Sequence, residues 1–133
     1  MSTSPTPEQF RDVAELRAAL RRFLRRSGEI SRKHGLTPRY HLLLLMIKGA
    51  PDGGEQATVT DLAERLQLTQ STVTALVQRA ERDGLLRRAR STEDGRVVHL
   101  SLTAEGERRI AASVAEHGSE RELLFRILAG LRP

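Results

Sequence analysis

Between Thr58 and Gly106 the hydrophobic pattern changes period twice, and few folds accommodate that. Thr58 and Asp61 stand at capping-box spacing and open a helix that turns Leu62, Ala63 and Leu66 inward. Leu68-Thr69 leaves room only for a tight turn. Thr69 is the expected N-cap of a second helix, which Gly84 ends. Leu85 to Arg90 and Val97 to Ser101 then read as two short strands, with Asp94-Gly95 as the turn signal between them. Val98, Leu100 and Leu102 give the second strand one apolar face. Thr103 caps a further helix. The expectation is helix, turn, helix, basic hairpin, helix: a mainly α chain with one small β-hairpin.

The helix after Thr69 has two unlike sides. At about 100° per residue, Thr74, Ala75, Gln78 and Arg82 fall within about 60° of Ser71. Val73, Leu76, Val77 and Ala80 fall about the opposite pole, while Thr72, Arg79 and Gln70 lie on the borders. The apolar side is shaped to dock on the preceding helix. The other side offers hydroxyls, an amide and a guanidinium, short or planar groups able to hydrogen-bond base edges or phosphates. An ordinary solvated helix face favours Glu and Lys instead. The free N–H groups around Gln70 to Thr72 add a place for a phosphate.

The hairpin offers a second contact. Arg96 follows Asp94-Gly95 at the tip, where a long cation can enter the minor groove, and Asp94 is near enough in sequence to orient it. Arg88 and Arg90 share one face of the first strand, suited to flanking phosphates. The plainer alternative is a hairpin whose arginines keep it solvated.

Outside this stretch the pattern is helical. Thr6-Pro7-Glu8-Gln9 has the residues of a capped start, and Val13, Leu16, Leu20, Phe23 and Leu24 follow at helical spacing to about Lys33, with Gly28 as a point of weakness. Thr37-Pro38 opens a second helix with Tyr40, Leu43, Leu44 and Ile47 as its buried stripe. Gly49, Pro51, Gly53 and Gly54 end it. After Thr103 come Ile110, Ala111 and Val114; Gly118 interrupts, and Leu123, Leu124, Ile127, Leu128 and Leu131 carry a stripe onward.

Composition narrows the function classes. The 133 residues are 38% hydrophobic and 29% charged, as in globular domains, with net charge +5. Residues 1–36 carry eight Lys/Arg against four Asp/Glu. The absence of cysteine excludes disulfides and thiol chemistry within the sequence. No apolar run approaches a bilayer span, and the polar start lacks a secretory pattern, so a cytoplasmic location without membrane contact is expected. No phosphate loop, Ser/His/Asp set or carboxylate pair is present, and the expectation is a non-enzyme without cofactor or catalytic residues. Of His34, His41, His99 and His117, only His117-x-x-Glu120 has a ligand-like spacing, one common by chance, so no metal is expected. One Tyr, three Phe and no Trp make base-stacking platforms for single strands a poor fit.

The run from Thr58 to Thr74 resembles the winged helix-turn-helix of the MarR family of bacterial regulators. The likeness continues through Arg79, Gly84-Leu85, Arg88, Asp94-Gly95-Arg96 and Leu102-Thr103-Ala104-Glu105-Gly106. It implies a single domain over 1–133, with a DNA-binding lobe at 55–102 and dimerisation helices within 1–36 and 103–133. It implies a homodimer whose fourth helices enter successive major grooves of a pseudo-palindromic double-stranded site, with the wings in the minor groove. It also implies repression, relieved by a small aromatic or phenolic acid in a pocket between the dimer helices and the DNA-binding lobe; Tyr40 and His41 lie near that place, and the plainer reading of them is a half-buried packing Tyr and a surface His. By the resemblance, base or backbone contacts map onto Ser71, Thr72, Thr74 and Gln78, Arg79 and Arg88 onto phosphate contacts or internal support, and Asp94 with Arg96 onto the wing. Thr69 and Gln70 at the start of the helix, and Arg90 beside Arg88, complete the expected DNA-binding set from the residues themselves. Ala75 stands where the family is often basic, Ala80 where it often has Leu, and the part after Gly106 is short for the family, which shifts the weight of the interface to the first helix. The competing reading is a winged-helix module for protein contacts or for DNA without sequence choice.

Overall fold

The computed structural model describes residues 3–131. Six helices and one hairpin follow in order: α1 (Pro7–Lys33), α2 (Pro38–Lys48), α3 (Val59–Leu66), α4 (Gln70–Arg82), β1 (Leu86–Arg90), β2 (Val98–Leu102), α5 (Ala104–Glu116) and α6 (Gly118–Gly130). The expected class, mainly α with a small hairpin, is what the chain adopts.

Threonine sets most of the helix starts. Thr6, Thr37, Thr58, Thr69 and Thr103 are all N-caps in extended backbone, each accepting a hydrogen bond from an amide three residues on. Thr6 with Gln9 and Thr58 with Asp61 close full capping boxes, so two otherwise orphaned amides are satisfied at each of those ends. Gly28 does not break α1, which runs unbroken for 27 residues; it is buried, and a Cβ there would sit 3.6 Å from Pro38 Cγ. The break expected at Gly118 does occur: His117 is at once the C-cap of α5 and the N-cap of α6.

The strands begin one residue later than the sequence pattern indicates, and pair antiparallel with Leu86 opposite Leu102 and Arg88 opposite Leu100. A feature without a local signal joins them. Ala57, just before α3, bridges to Leu100 through two backbone bonds of 3.0 and 2.8 Å, which ties the hairpin to the helix-turn-helix. The turn into α4 depends on Gln67, a non-glycine residue in left-handed backbone at φ 56° that caps α3.

One core holds the lobe together. Leu43, Leu44 and Ile47 of α2 meet Leu62 of α3, Val73, Leu76, Val77 and Ala80 of α4, Leu100 and Leu102 of β2, and Ile110 of α5. Ala63 and Leu66 are half-buried against it. Tyr40 departs from the expected buried stripe: it is half-buried, because its hydroxyl reaches the surface to donate to Asp83 Oδ2 at 2.8 Å. Gly106 lets α5 lie on the start of the hairpin, since a Cβ there would be 2.3 Å from the Leu85 carbonyl oxygen. Thr103 braces the same junction by donating to the Gly84 carbonyl at 2.6 Å while capping α5.

The outer helices pair with one another, α1 along α6 and against α5. Much of their apolar surface stays uncovered within the chain. Phe10, Leu24 and Phe125 are each 63% exposed, and Val13, Leu20, Leu123 and Leu128 are also exposed. No helix among the described residues is long and apolar enough to cross a membrane.

Candidate nucleic-acid interface

Helix α4 turns its two sides as the spacing indicates. Val73, Leu76, Val77 and Ala80 are no more than 3% exposed. Ser71, Ala75, Gln78 and Arg82 are exposed on the opposite side, and Thr74 is half-buried between them. Gln78 makes no hydrogen bond within the described residues, so its amide is free to bond a partner.

The N-terminal turn is more occupied. Thr69 Oγ1 accepts the Thr72 amide at 3.1 Å and lies 2.8 Å from Thr72 Oγ1. It is also 3.3 Å from Ser71 Oγ. Gln70 Nε2 donates to Thr60 Oγ1 at 3.4 Å, which leans that side chain toward α3. Three hydroxyls therefore cluster at the end of the helix where the backbone dipole is positive. Thr69, Gln70 and Ser71 are exposed there, and Thr72 is half-buried.

Strand alternation places Leu86, Arg88 and Arg90 on one face of β1. Leu86 goes into the core and the arginines lie toward the edge. Arg88 Nε donates to Glu81 Oε1 at 2.8 Å, a bond between β1 and α4, so its charge is already matched inside the chain. Arg90 Nη1 donates to the Gly95 carbonyl at 2.7 Å and so ties the hairpin tip to its stem. Asp94 Oδ1 accepts from the Arg96 amide at 3.0 Å and from its Nε at 3.3 Å, while the Arg96 side chain remains 92% exposed. The hairpin thus presents one extended cation at its tip, held at its base by a carboxylate.

Arg79 and Arg82 are exposed and have no carboxylate partner among the described residues. They flank the Tyr40–Asp83 bond. Burial, then the Asp83 carboxylate, push the Tyr40 hydroxyl above its usual ionisation range, while the two arginines pull it down. This link between α2 and the end of α4 escapes sequence reading, because no spacing rule relates positions on two separate helices.

Among the histidines, His34 Nε2 is 3.0 Å from Glu116 Oε1, and His117 is buried against the Phe23 ring with centroids 4.4 Å apart, while the nearby Glu120 binds Arg26. His41 is half-buried rather than a surface residue; its Nδ1 is 3.0 Å from Ser113 Oγ. Among the described residues no group of three His, Cys, Asp or Glu side chains is placed to hold a metal.

Comparison with known proteins matches this layout. The MarR family profile covers residues 34–97, from the end of α1 through the hairpin tip. A MarR family protein from Bacillus stearothermophilus has a solved structure that superposes with a TM-score of 0.69, at 32% identity, over 85% of this chain and 77% of that one. This chain belongs to the MarR family. The HTH-type transcriptional repressor YetL of Bacillus subtilis (strain 168) is 33% identical over 86 residues, 65% of this chain and 50% of YetL. The chain spans about half the length of the curated relatives it matches. A point mutant of S. aureus MepR bound to an oligodeoxyribonucleotide shares the fold at a TM-score of 0.67 and 22% identity, over 87% of this chain and 80% of that one.

Proposed function

We propose that this MarR-family chain is a sequence-specific, double-stranded DNA-binding transcriptional regulator, a homodimeric repressor that a small-molecule effector releases. The observation that carries the DNA-binding reading is α4 itself: an anchored rod whose outer side offers Ser71, Thr74 and Gln78 together, with no carboxylate among them. A MepR structure holding an oligodeoxyribonucleotide and curated repressors among the relatives support the reading. In it, Ser71, Thr74 and Gln78 meet base edges. Thr69, Gln70, Thr72 and Arg79 hold the backbone, Arg96 enters the minor groove with Asp94 orienting it, and Arg90 stiffens the wing. Arg88 serves as internal support, since Glu81 already holds it.

The homodimer reading rests on the uncovered apolar stripe of α1. Phe10, Val13, Leu20 and Leu24 lie within about 60° of one another's mean direction on that helix, and a second copy would cover them. Two α4 helices related by a two-fold axis would then read half-sites about one DNA turn apart. The effector reading draws on the cleft of about 280 Å³ between α1 and α2, lined by Leu24, Gly28, His41 and Leu42 among others. A small aromatic or phenolic acid is the class expected there.

Selection from a random double-stranded pool tests the proposal. It should converge on a pseudo-palindrome, and Gln78→Ala should lose roughly 1–3 kcal/mol on that site and little on random DNA. Equal loss on both, or no convergence, would favour a non-specific architectural module.

A further inference from the structure

Beside the reading face of α4 lies a groove of about 440 Å³ between the first turn of α2 and the second half of α4. Leu76 forms its floor, and Arg39, Arg79, Tyr40 and Asp83 line it. Arg82 stands next to it, close enough to act on the Tyr40 hydroxyl through space. All three guanidiniums are exposed, and none has an ion pair among the described residues. Arginines elsewhere on the chain are often neutralised: Arg22 by Glu15, Arg26 by Glu29 and Glu120, Arg88 by Glu81, Arg109 by Glu105. The one carboxylate in the groove, Asp83, accepts the Tyr40 hydroxyl at 2.8 Å and lies outside ion-pair distance of all three arginines.

The direction of the groove matters. On α4, Arg79 falls about 80° from Ser71, at the border of the outer face, and Arg82 about 20°, on that face in the last turn, so the groove opens at the border with Arg82 beside it. A helix seated in a major groove about 12 Å wide has a phosphate strand along each side. Unpaired arginines on that flank meet phosphates, to which guanidinium groups bind in bidentate fashion.

We infer that Arg39, Arg79 and Arg82 form a backbone clamp: a site for the phosphates of double-stranded DNA on the flank of each half-site, with Arg39 of α2 extending the contact beyond the helix-turn-helix and wing. The inference rests on the proposed seating of α4 in the major groove. Phosphate contacts fix register and carry no sequence information, so the clamp strengthens binding to any duplex.

Arg39→Ala in the full chain tests it with no effector added, since Arg39 is exposed and outside the core but also lines the cleft between α1 and α2. Affinity is measured against salt on the selected duplex, on a random duplex of equal length, and on the selected duplex trimmed of its flanks. The expected result is weaker binding to the two full-length duplexes alike, with a salt slope shallower by about 1 per subunit. On the trimmed duplex Arg39→Ala should cause no further loss. Unchanged affinity and slope on the full-length duplexes would overturn the clamp. So would a loss confined to the selected sequence, which would make Arg39 a base-reading residue. A loss that persists on the trimmed duplex would point to free anion or helix positioning, and would also overturn it. Gln78→Ala, run in parallel, separates the two ideas: if it relaxes specificity while Arg39→Ala does nothing, α4 reads bases and the clamp alone fails.

Discussion

At the scale of single residues, a few contacts hold disproportionate weight. Gly106 is one. Any side chain there collides with the Leu85 carbonyl, a backbone atom that cannot swing away. Gly106→Ala should destabilise the chain by about 1–3 kcal/mol, read as a lower denaturation midpoint with an unchanged slope in urea; an unchanged midpoint would mean that α5 sits less tightly on the hairpin. His117 and His41 are another such pair. Burial lowers the affinity of both rings for a proton; the charge of His117 adds to this at His41, while at His117 Glu120 raises it and Arg121 and Arg26 lower it. Both rings therefore resist protonation in the folded chain. Stability should be full above the ordinary imidazole value of 6.5 and fall as the pH drops through it, because the unfolded chain takes up protons that the folded chain refuses. Thermal melts from pH 8 to about pH 5 check this, and His117→Gln should flatten the acid limb.

At the scale of elements, local chemistry carries far. Five threonine caps, the stop at Gly84 and the interruption at Gly118 are all readable from neighbouring residues, because capping is decided within one turn. The faces of α4 are equally readable, since Val73, Leu76, Val77 and Ala80 follow one period. Contacts between elements are not. The Ala57–Leu100 bridge, the Glu81–Arg88 bond and the Tyr40–Asp83 bond each join positions whose proximity only the folded chain decides. That is why the pattern of β1 points Arg88 toward DNA while the structure shows its charge met by Glu81. The consequence for the hairpin is specific. Arg96→Ala should weaken DNA binding and make it less salt-dependent, whereas Arg88→Ala should lower thermal stability more than it alters the salt slope. The reverse ranking would exchange the roles given to the two arginines.

At the scale of the whole molecule, the exposed stripe on α1 is the least self-sufficient part of the chain. Phe10 and Leu24 at 63% exposure, with Val13 at 56%, form a surface that water penalises unless another chain covers it. Light scattering on the purified protein should give twice the chain mass. Leu20→Glu should shift it to monomer and reduce operator affinity far more than it lowers helicity. A stable monomer for the unaltered chain would remove the two-fold arrangement, and with it the pseudo-palindromic target.

If the outer side of α4 reads bases, changing one of its side chains must change the sequence selected. Selection from the random pool is repeated with Gln78→Arg, whose guanidinium pairs best with guanine. The preferred sequence should change at one symmetric position in each half-site, toward guanine, with the remaining positions and the spacing kept. Recovery of the same sequence by both proteins would contradict it.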